Sequence, residues 1–310
     1  MQSHRASRQL IFIVGPTAIG KTEASAALAK KINAEIISCD SMQVYKGMDI
    51  LTSKSALSLR KKIPHHLLSI ISPEKEYNVS KYRKEALKKI KILHGKGKIP
   101  LFAGGTGLYM SILIDGLFKP APENKRFRKK LYEEAQIRGS SFLYRKLKKV
   151  DSAAAAKIHP NDAKRIIRAL EVYQATGKPI SELQKERKGL SRDFDIKIFC
   201  LNMDREALRK RIDIRVERMF RQGLAKEARR LLRMKLSRTA RCAIGLRELK
   251  GYFAGLYDLA EAKRLIKRNT YLYAKRQLTW FRKDKRISWV NITGKEKPAQ
   301  IARRIWRELY

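Results

Sequence analysis

From residue 9 to about residue 116, short apolar runs alternate with stretches of helical period. The runs Gln9–Val14, Ala34–Ser38 and Ile99–Ala103 predict buried strands. Ahead of the third, Asn78-Val79-Ser80 can cap a helix whose apolar positions Tyr82, Ala86, Ile90 and Leu93 follow helical spacing, with Gly95 and Gly97 closing it near His94. Strands joined by crossover helices predict a parallel sheet. Lys119-Pro120-Ala121-Pro122 interrupts the alternation, and from residue 123 to about 190 the pattern is of basic helices with no convincing strand. A strand returns at Asp195–Leu201, Asn202-Met203-Asp204 caps a helix from Arg205 to about Gln222, and the chain stays mostly helical to Lys285. A late strand at Ile287–Asn291 and a closing helix complete the reading, with no internal repeat. The expected division is a core of residues 1–121 and 194–310 with an all-helical insertion over 122–193.

The apolar run Leu10–Val14 leads directly into Gly15-Pro16-Thr17-Ala18-Ile19-Gly20-Lys21-Thr22, which fits the phosphate-binding loop pattern. Two glycines let the backbone fold around an anion with its N–H groups inward, and the helix opening near Gly20 adds the positive end of its dipole. Lys21 is expected on the outer phosphate and Thr22 on a magnesium ion. The fold class is therefore α/β, a phosphate-loop NTPase-like parallel sheet flanked by helices, and the loop predicts a diphosphate or triphosphate site.

Charge changes the picture further. Among 310 residues, 71 are Lys or Arg and 29 are Asp or Glu, a formal charge of +42. Nucleic acid is the partner such a density favours, although a generally basic proteome with solvated charges has the same composition. The three widely spaced cysteines, Cys39, Cys200 and Cys242, argue against a disulfide framework or zinc cluster and for a reducing, cytoplasmic compartment. His4, His65, His66, His94 and His159 show no metal-ligand spacing. No run reaches the roughly 18 apolar residues that cross a bilayer, and no secretory signal is evident.

Asp40 follows the second strand at the end of the sheet where ligands collect, so its carboxylate can accept a proton from an attacking amine or hydroxyl or orient magnesium-bound water; a plain turn residue is the alternative, as it is for Ser41 and Gln43. Gly104-Gly105-Thr106-Gly107-Leu108-Tyr109 follows the third strand, where glycines admit close backbone approach and Thr106 can donate to developing charge. Arg211, Arg215 and Arg218 recur along one stripe that suits phosphate or an ordinary wet face. Lys164, Arg165 and Arg168 present the same choice. Tyr271, Tyr273, Lys275, Arg276, Gln277, Trp280, Phe281 and Arg282 interleave aromatics with bases, as in proteins that stack unpaired bases, or as in a helix with a packed aromatic face.

In order, Gly15–Thr22, Asp40-Ser41-Met42-Gln43-Val44-Tyr45, Gly104–Tyr109, Ile158-His159-Pro160-Asn161-Asp162 with Arg165 and Arg168, and Lys275-Arg276-Gln277-Leu278-Thr279-Trp280-Phe281 closely resemble the tRNA dimethylallyltransferases of the bacterial type. The resemblance implies transfer of a dimethylallyl group from dimethylallyl diphosphate to N6 of the adenosine beside the anticodon on its 3′ side, position 37, with magnesium as cofactor. It makes Asp40 the general base, Thr106 and Lys21 catalytic, and Gly15, Pro16, Thr17, Ala18, Ile19, Gly20, Lys21 and Thr22 the diphosphate site, joined on helical spacing by Arg211 and Arg215. It places tRNA at Asp40, Ser41, Met42 and Gln43, at Lys164, Arg165, Ile166, Ile167 and Arg168, at Arg128, and at Lys275, Arg276 and Trp280. The insertion becomes the unit that grips the anticodon stem-loop, in an enzyme expected to be a cytoplasmic monomer without membrane attachment. Ile19 and Leu246 depart from the usual pattern, and no cysteine–histidine tail like that of eukaryotic relatives follows Trp280. A nucleotide kinase, an enzyme prenylating free adenine nucleotides and a purely nucleic-acid-binding module are the competing readings; they leave unexplained, respectively, the missing strand-end acid for magnesium, the charge, and the loop with Asp40 and Thr106.

Overall fold

The computed structural model describes residues 8–118 and 124–310. The Lys119–Pro122 boundary segment and His4 lie outside the described residues. Along the chain run β1 (Gln9–Val14), α1 (Lys21–Lys31), β2 (Ala34–Ser38), β3 (His65–His66), α2 (Val79–Gly95), β4 (Ile99–Gly104) and α3 (Gly107–Ile114). There follow α4 (Lys125–Arg138), α5 (Ser140–Val150), α6 (Ala163–Thr176), β5 (Asp195–Asn202), α7 (Arg205–Arg221) and α8 (Leu224–Leu232). The chain closes with α9 (Leu246–Phe253), α10 (Leu259–Phe281), β6 (Ile287–Asn291) and α11 (Pro298–Leu309). Short turns of helix at Leu57–Lys62, Ser152–Ala155 and Ile180–Leu183 link them.

The chain separates into two compact units, one formed by the residues up to Ile114 with Asp193–Tyr310, the other by Asp115–Arg192. The first holds a six-stranded sheet in the order β3-β2-β4-β1-β5-β6. Every pairing is parallel, with Ile11 opposite Leu101 on β4 and Lys197 on β5. Every residue of central β1 is buried, as a strand covered by helices on both faces requires. Phe12 and Phe102 stack across the β1–β4 pair at 4.5 Å between ring centroids, and α11 packs on α1 with Lys31 over the Trp306 ring.

The helix starts follow from their caps. Asn78 accepts from the N–H of Lys81 at the head of α2, and Asp204 from those of Glu206 and Ala207 at the head of α7, each satisfying donors that a first turn leaves free. On α2 the expected Tyr82, Ala86, Ile90 and Leu93 are the buried positions. Because all strands are parallel, their carboxyl ends gather on one edge, where Gly15 follows β1, Asp40 follows β2 and Gly105 follows β4.

The second unit is helical. Its core joins Leu131, Leu143, Leu147, Ile166, Ile167, Leu170 and Val172 from α4, α5 and α6. No described helix is long and apolar enough to cross a membrane.

Candidate active site

The loop after β1 adopts the backbone its sequence demands. Gly15 sits at φ +142°, and a Cβ there would press on the Leu201 carbonyl at 2.8 Å. Gly20, at φ +99°, caps α1 without a side chain, which leaves the first-turn N–H groups facing an incoming anion. Ala18 takes the left-handed conformation at φ +67°, unusual for a residue bearing Cβ. Its carbonyl accepts from Arg211 Nε at 3.1 Å, while Arg211 Nη1 reaches the Gly294 carbonyl at 3.2 Å. Arg211 thus braces the loop from α7. Ile19, where the usual pattern has a small polar residue, is buried.

Lys21 turns back over the loop, donating to the carbonyls of Gly15 at 3.0 Å and Pro16 at 2.7 Å. Burial and then the charge of Arg215 lower its pKa to about 8, against the pull of the Asp40 carboxylate. Arg215, one turn along α7 from Arg211, is itself lowered by burial to about 10 and favoured by Asp40; its Nε donates to Ser53 Oγ at 3.0 Å. Two partly buried cations therefore lie within electrostatic reach of one carboxylate, an arrangement that an anionic ligand relieves. Arg218 points to solvent.

Asp40 closes a tight turn. Its Oδ1 accepts from the N–H groups of Met42 at 2.8 Å and Gln43 at 3.3 Å, and Oδ2 has no hydrogen-bond partner among the described residues. The hydroxyl of Thr106, from the turn after β4, accepts from the Ser41 N–H at 3.1 Å, and the Thr106 N–H donates to the Cys39 carbonyl at 3.1 Å. The phosphate loop, Asp40 and Thr106 are thus brought to one edge of the sheet. Cys39 and Cys200 are buried beside it, their thiols pushed up to about 12 chiefly by burial.

Three stabilising contacts had no local signal. Gln277 on α10 is buried; its Oε1 accepts from the Thr17 N–H at 2.9 Å and its Nε2 donates to the Gly105 carbonyl at 2.8 Å. The carboxylate of Glu227 accepts from the N–H groups of Asp49, Ile50 and Leu51 at 2.8 to 3.0 Å. Arg230 donates to the Gly47 carbonyl. The last two hold the segment that follows Asp40. The sequence motif around Lys275–Phe281 includes Gln277 but carries no sign of the two loops it joins.

On α10, Lys275 and Arg276 are exposed and Trp280 is 37% exposed, so the basic residues and part of the indole face outward. In the helical unit, Lys164 and Arg165 are exposed at the start of α6, where Asp162 caps the helix and pairs with Arg165. Ile166 and Ile167, expected beside the RNA, have buried side chains. They are 0% and 1% exposed in the core between α4, α5 and α6, because the helical turn that points Lys164 and Arg165 outward carries the next two side chains inward. Arg128 and Arg168 converge on Glu171, Arg128 through two bonds of 3.1 and 2.8 Å and Arg168 at 2.7 Å. Burial alone would raise the Glu171 carboxyl, but the two guanidinium groups hold it below its ordinary value. Both arginines therefore have a structural role within the unit.

A parallel sheet whose first strand feeds a glycine-bounded anion loop, with a carboxylate at the same edge after β2, two strands away, defines a phosphate-loop α/β protein built for group transfer. The chain belongs to the IPP transferase family, whose profile matches residues 43–284; that of isopentenyl transferases matches residues 8–60. It is 48% identical over 304 residues, 97% of both chains, to a tRNA dimethylallyltransferase of Carboxydothermus hydrogenoformans. The crystal structure of a full-length tRNA isopentenylpyrophosphate transferase from Bacillus halodurans superposes with a TM-score of 0.71 at 37% identity over 97% of both chains. A eukaryotic dimethylallyltransferase captured acting on tRNA gives 0.82 at 30% identity, over 97% of this chain and 79% of that one.

Proposed function

We propose that the protein transfers a dimethylallyl group from dimethylallyl diphosphate to N6 of the adenosine on the 3′ side of the anticodon, position 37, in tRNA. One observation carries the reading: the phosphate loop with Lys21 folded over it, the turn closed by Asp40 and the Thr106 hydroxyl that holds Ser41 stand together at one edge of the sheet. The loop amides, Lys21 and Arg215 take up the charge that develops on the departing diphosphate. An adenine N6 is a weak nucleophile because its lone pair is delocalised into the ring. A carboxylate that accepts its proton as the C–N bond forms lowers the barrier, and we assign this role to Oδ2 of Asp40, the oxygen not engaged in the turn. Thr106 keeps that carboxylate in position through Ser41. The target base must leave its stack to reach the crevice, which an anticodon loop makes easier than a duplex.

No cluster of three or more His, Cys, Asp or Glu suited to a metal occurs among the described residues. Magnesium keeps several waters and binds through few protein oxygens plus substrate phosphates, so a single hydroxyl beside the phosphate loop is the kind of protein ligand it takes. Thr22, at the start of α1, is the residue that would hold it with the diphosphate. When bound, the ion neutralises leaving-group charge. The exposed Lys164, Arg165, Lys275 and Arg276 and the half-exposed Trp280 are assigned to the anticodon arm, in a cytoplasmic enzyme acting as a monomer.

Incubation with radiolabelled dimethylallyl diphosphate, magnesium and unmodified tRNA bearing adenosine beside its anticodon tests the reading. Label is expected in the tRNA. Magnesium-dependent ATP cleavage with no label in RNA overturns it.

A further inference from the structure

Gln277 directly follows the exposed Lys275 and Arg276, yet it is only 6% exposed. Its two hydrogen bonds reach the loops after two adjacent strands, to the Thr17 N–H and the Gly105 carbonyl. The fit extends along one stripe of α10. Tyr273, Gln277 and Trp280 stand at i, i+4 and i+7 and meet Thr106, Gly105 and Gly107 respectively. A Cβ on Gly105 would strike the Gln277 amide, and one on Gly107 would strike the Trp280 indole. Gly105 and Gly107 are therefore explained by close approach of α10.

The two partners of Gln277 demand opposite chemistry. A backbone N–H only donates and a carbonyl only accepts, so a primary amide satisfies both where a carboxylate or an apolar chain of equal length cannot. Holding the Thr17 N–H also removes that group from the loop's inward set and fixes the peptide orientation at the loop's entry. The remaining amides then converge on an anion without reorganising, the condition under which fixed dipoles act best.

We propose that Gln277 is a positioning residue for prenyl transfer: it sets the spacing between the loop that grips the donor's diphosphate and the turn that carries Thr106 and, through Ser41, aligns Asp40. The inference rests on the reading above for the identity of donor and acceptor.

The test compares wild type with Gln277→Met, which keeps chain length and loses both hydrogen bonds, and with Gly105→Ala, which keeps the glutamine and pushes its amide aside. Inorganic diphosphate affinity is measured by calorimetry without RNA. The single-turnover rate at saturation, KM for each substrate and Tm complete the set. Both variants are expected to bind diphosphate about tenfold more weakly or worse and to slow the single-turnover step by a similar factor, while tRNA affinity stays within about twofold, as loss of alignment requires. Wild-type diphosphate affinity and rate in a folded Gln277→Met protein overturn the proposal. So does a uniform decline of every constant in step with Tm, which marks a folding role alone. Should Gln277→Met fail to fold, Gly105→Ala decides by the same criteria. A wild type that binds diphosphate and labels no tRNA refutes the proposed reaction and leaves the Gln277 result to be judged on diphosphate binding. A wild type that labels tRNA while both variants bind diphosphate normally refutes the positioning role only.

Discussion

The Thr106 hydroxyl accepts a hydrogen bond from the backbone N–H of Ser41 at 3.1 Å, so the turn after β4 holds the residue next to Asp40. Thr106→Val keeps the shape and leaves that N–H without its partner, at a cost of about 1–3 kcal/mol if the group stays buried. The single-turnover rate is expected to fall by about tenfold or more through misplacement of the carboxylate, and Thr106→Ser to recover most of it. Equal rates in wild type and Thr106→Val would remove Thr106 from the catalytic set.

Asp40→Asn preserves the Oδ1 acceptor that closes the turn onto Met42 and Gln43, so the fold and tRNA affinity are expected to hold within a fewfold. The chemical step should slow by roughly 10²-fold or more, because a neutral amide cannot take the N6 proton. Rapid-quench measurement of labelled tRNA checks this, and an unchanged rate excludes Asp40 as the base.

Lys21 has a folded-state pKa of about 8 against an ordinary 10.5. Between these values the unfolded chain binds more protons than the folded one, so this group's contribution to stability rises with pH from about 8 to 10.5. Diphosphate binding runs the other way, since it needs the ammonium. Its affinity is expected to be level below pH 8 and to fall by up to about tenfold per unit above it. Calorimetric titrations between pH 7 and 9.5 test the slope, and Lys21→Met should abolish it along with most of the affinity. A slope that persists in Lys21→Met assigns the titration to another group.

Replacing Lys164 and Arg165 together by alanine is expected to weaken tRNA binding and reduce its logarithmic salt slope by about one to two, as loss of phosphate contacts does. Filter binding across a salt series checks this; parallel lines take both residues off the RNA surface.

Glu171→Gln removes the charge shared by Arg128 and Arg168. Because those arginines are 22% and 36% exposed, the loss should fall to about 2 kcal/mol, below the 3–5 kcal/mol typical of a fully buried broken pair. The carboxyl's folded pKa lies below its unfolded value. Its stabilisation is therefore full above about pH 4.5 and is lost as pH falls through the folded value. Urea melts at pH 7 and pH 3.5 should differ by less in the variant than in wild type; equal differences place the acid sensitivity elsewhere.

Features written in neighbouring residues were legible in advance. The run Leu10–Thr22 contains strand, loop and helix start in one stretch, and Asn78 and Asp204 announce the helices they cap. The two-residue β3 and the helix Leu57–Lys62 gave no period, since the first is too short and the second has no buried residue. Site residues that act across long separations were equally silent. Gln277 meets a loop 260 positions earlier, and Glu227 caps N–H groups about 177 positions away. Helical spacing offered Arg211 for the diphosphate but could not show its bond to the carbonyl of the left-handed Ala18, 193 positions earlier. The helix divides the stretch Lys164–Arg168 between two faces, a division that the sequence motif alone does not display.

Strand β1 lies between β4, which precedes the helical insertion, and β5, which follows it. During synthesis the first four strands leave the ribosome well before the fifth, so one edge of the most apolar strand waits uncovered while the whole insertion is made. A bare apolar edge invites pairing with other chains. The nascent protein must therefore delay closing its sheet, or be shielded, until residue 195 and its neighbours arrive to complete it.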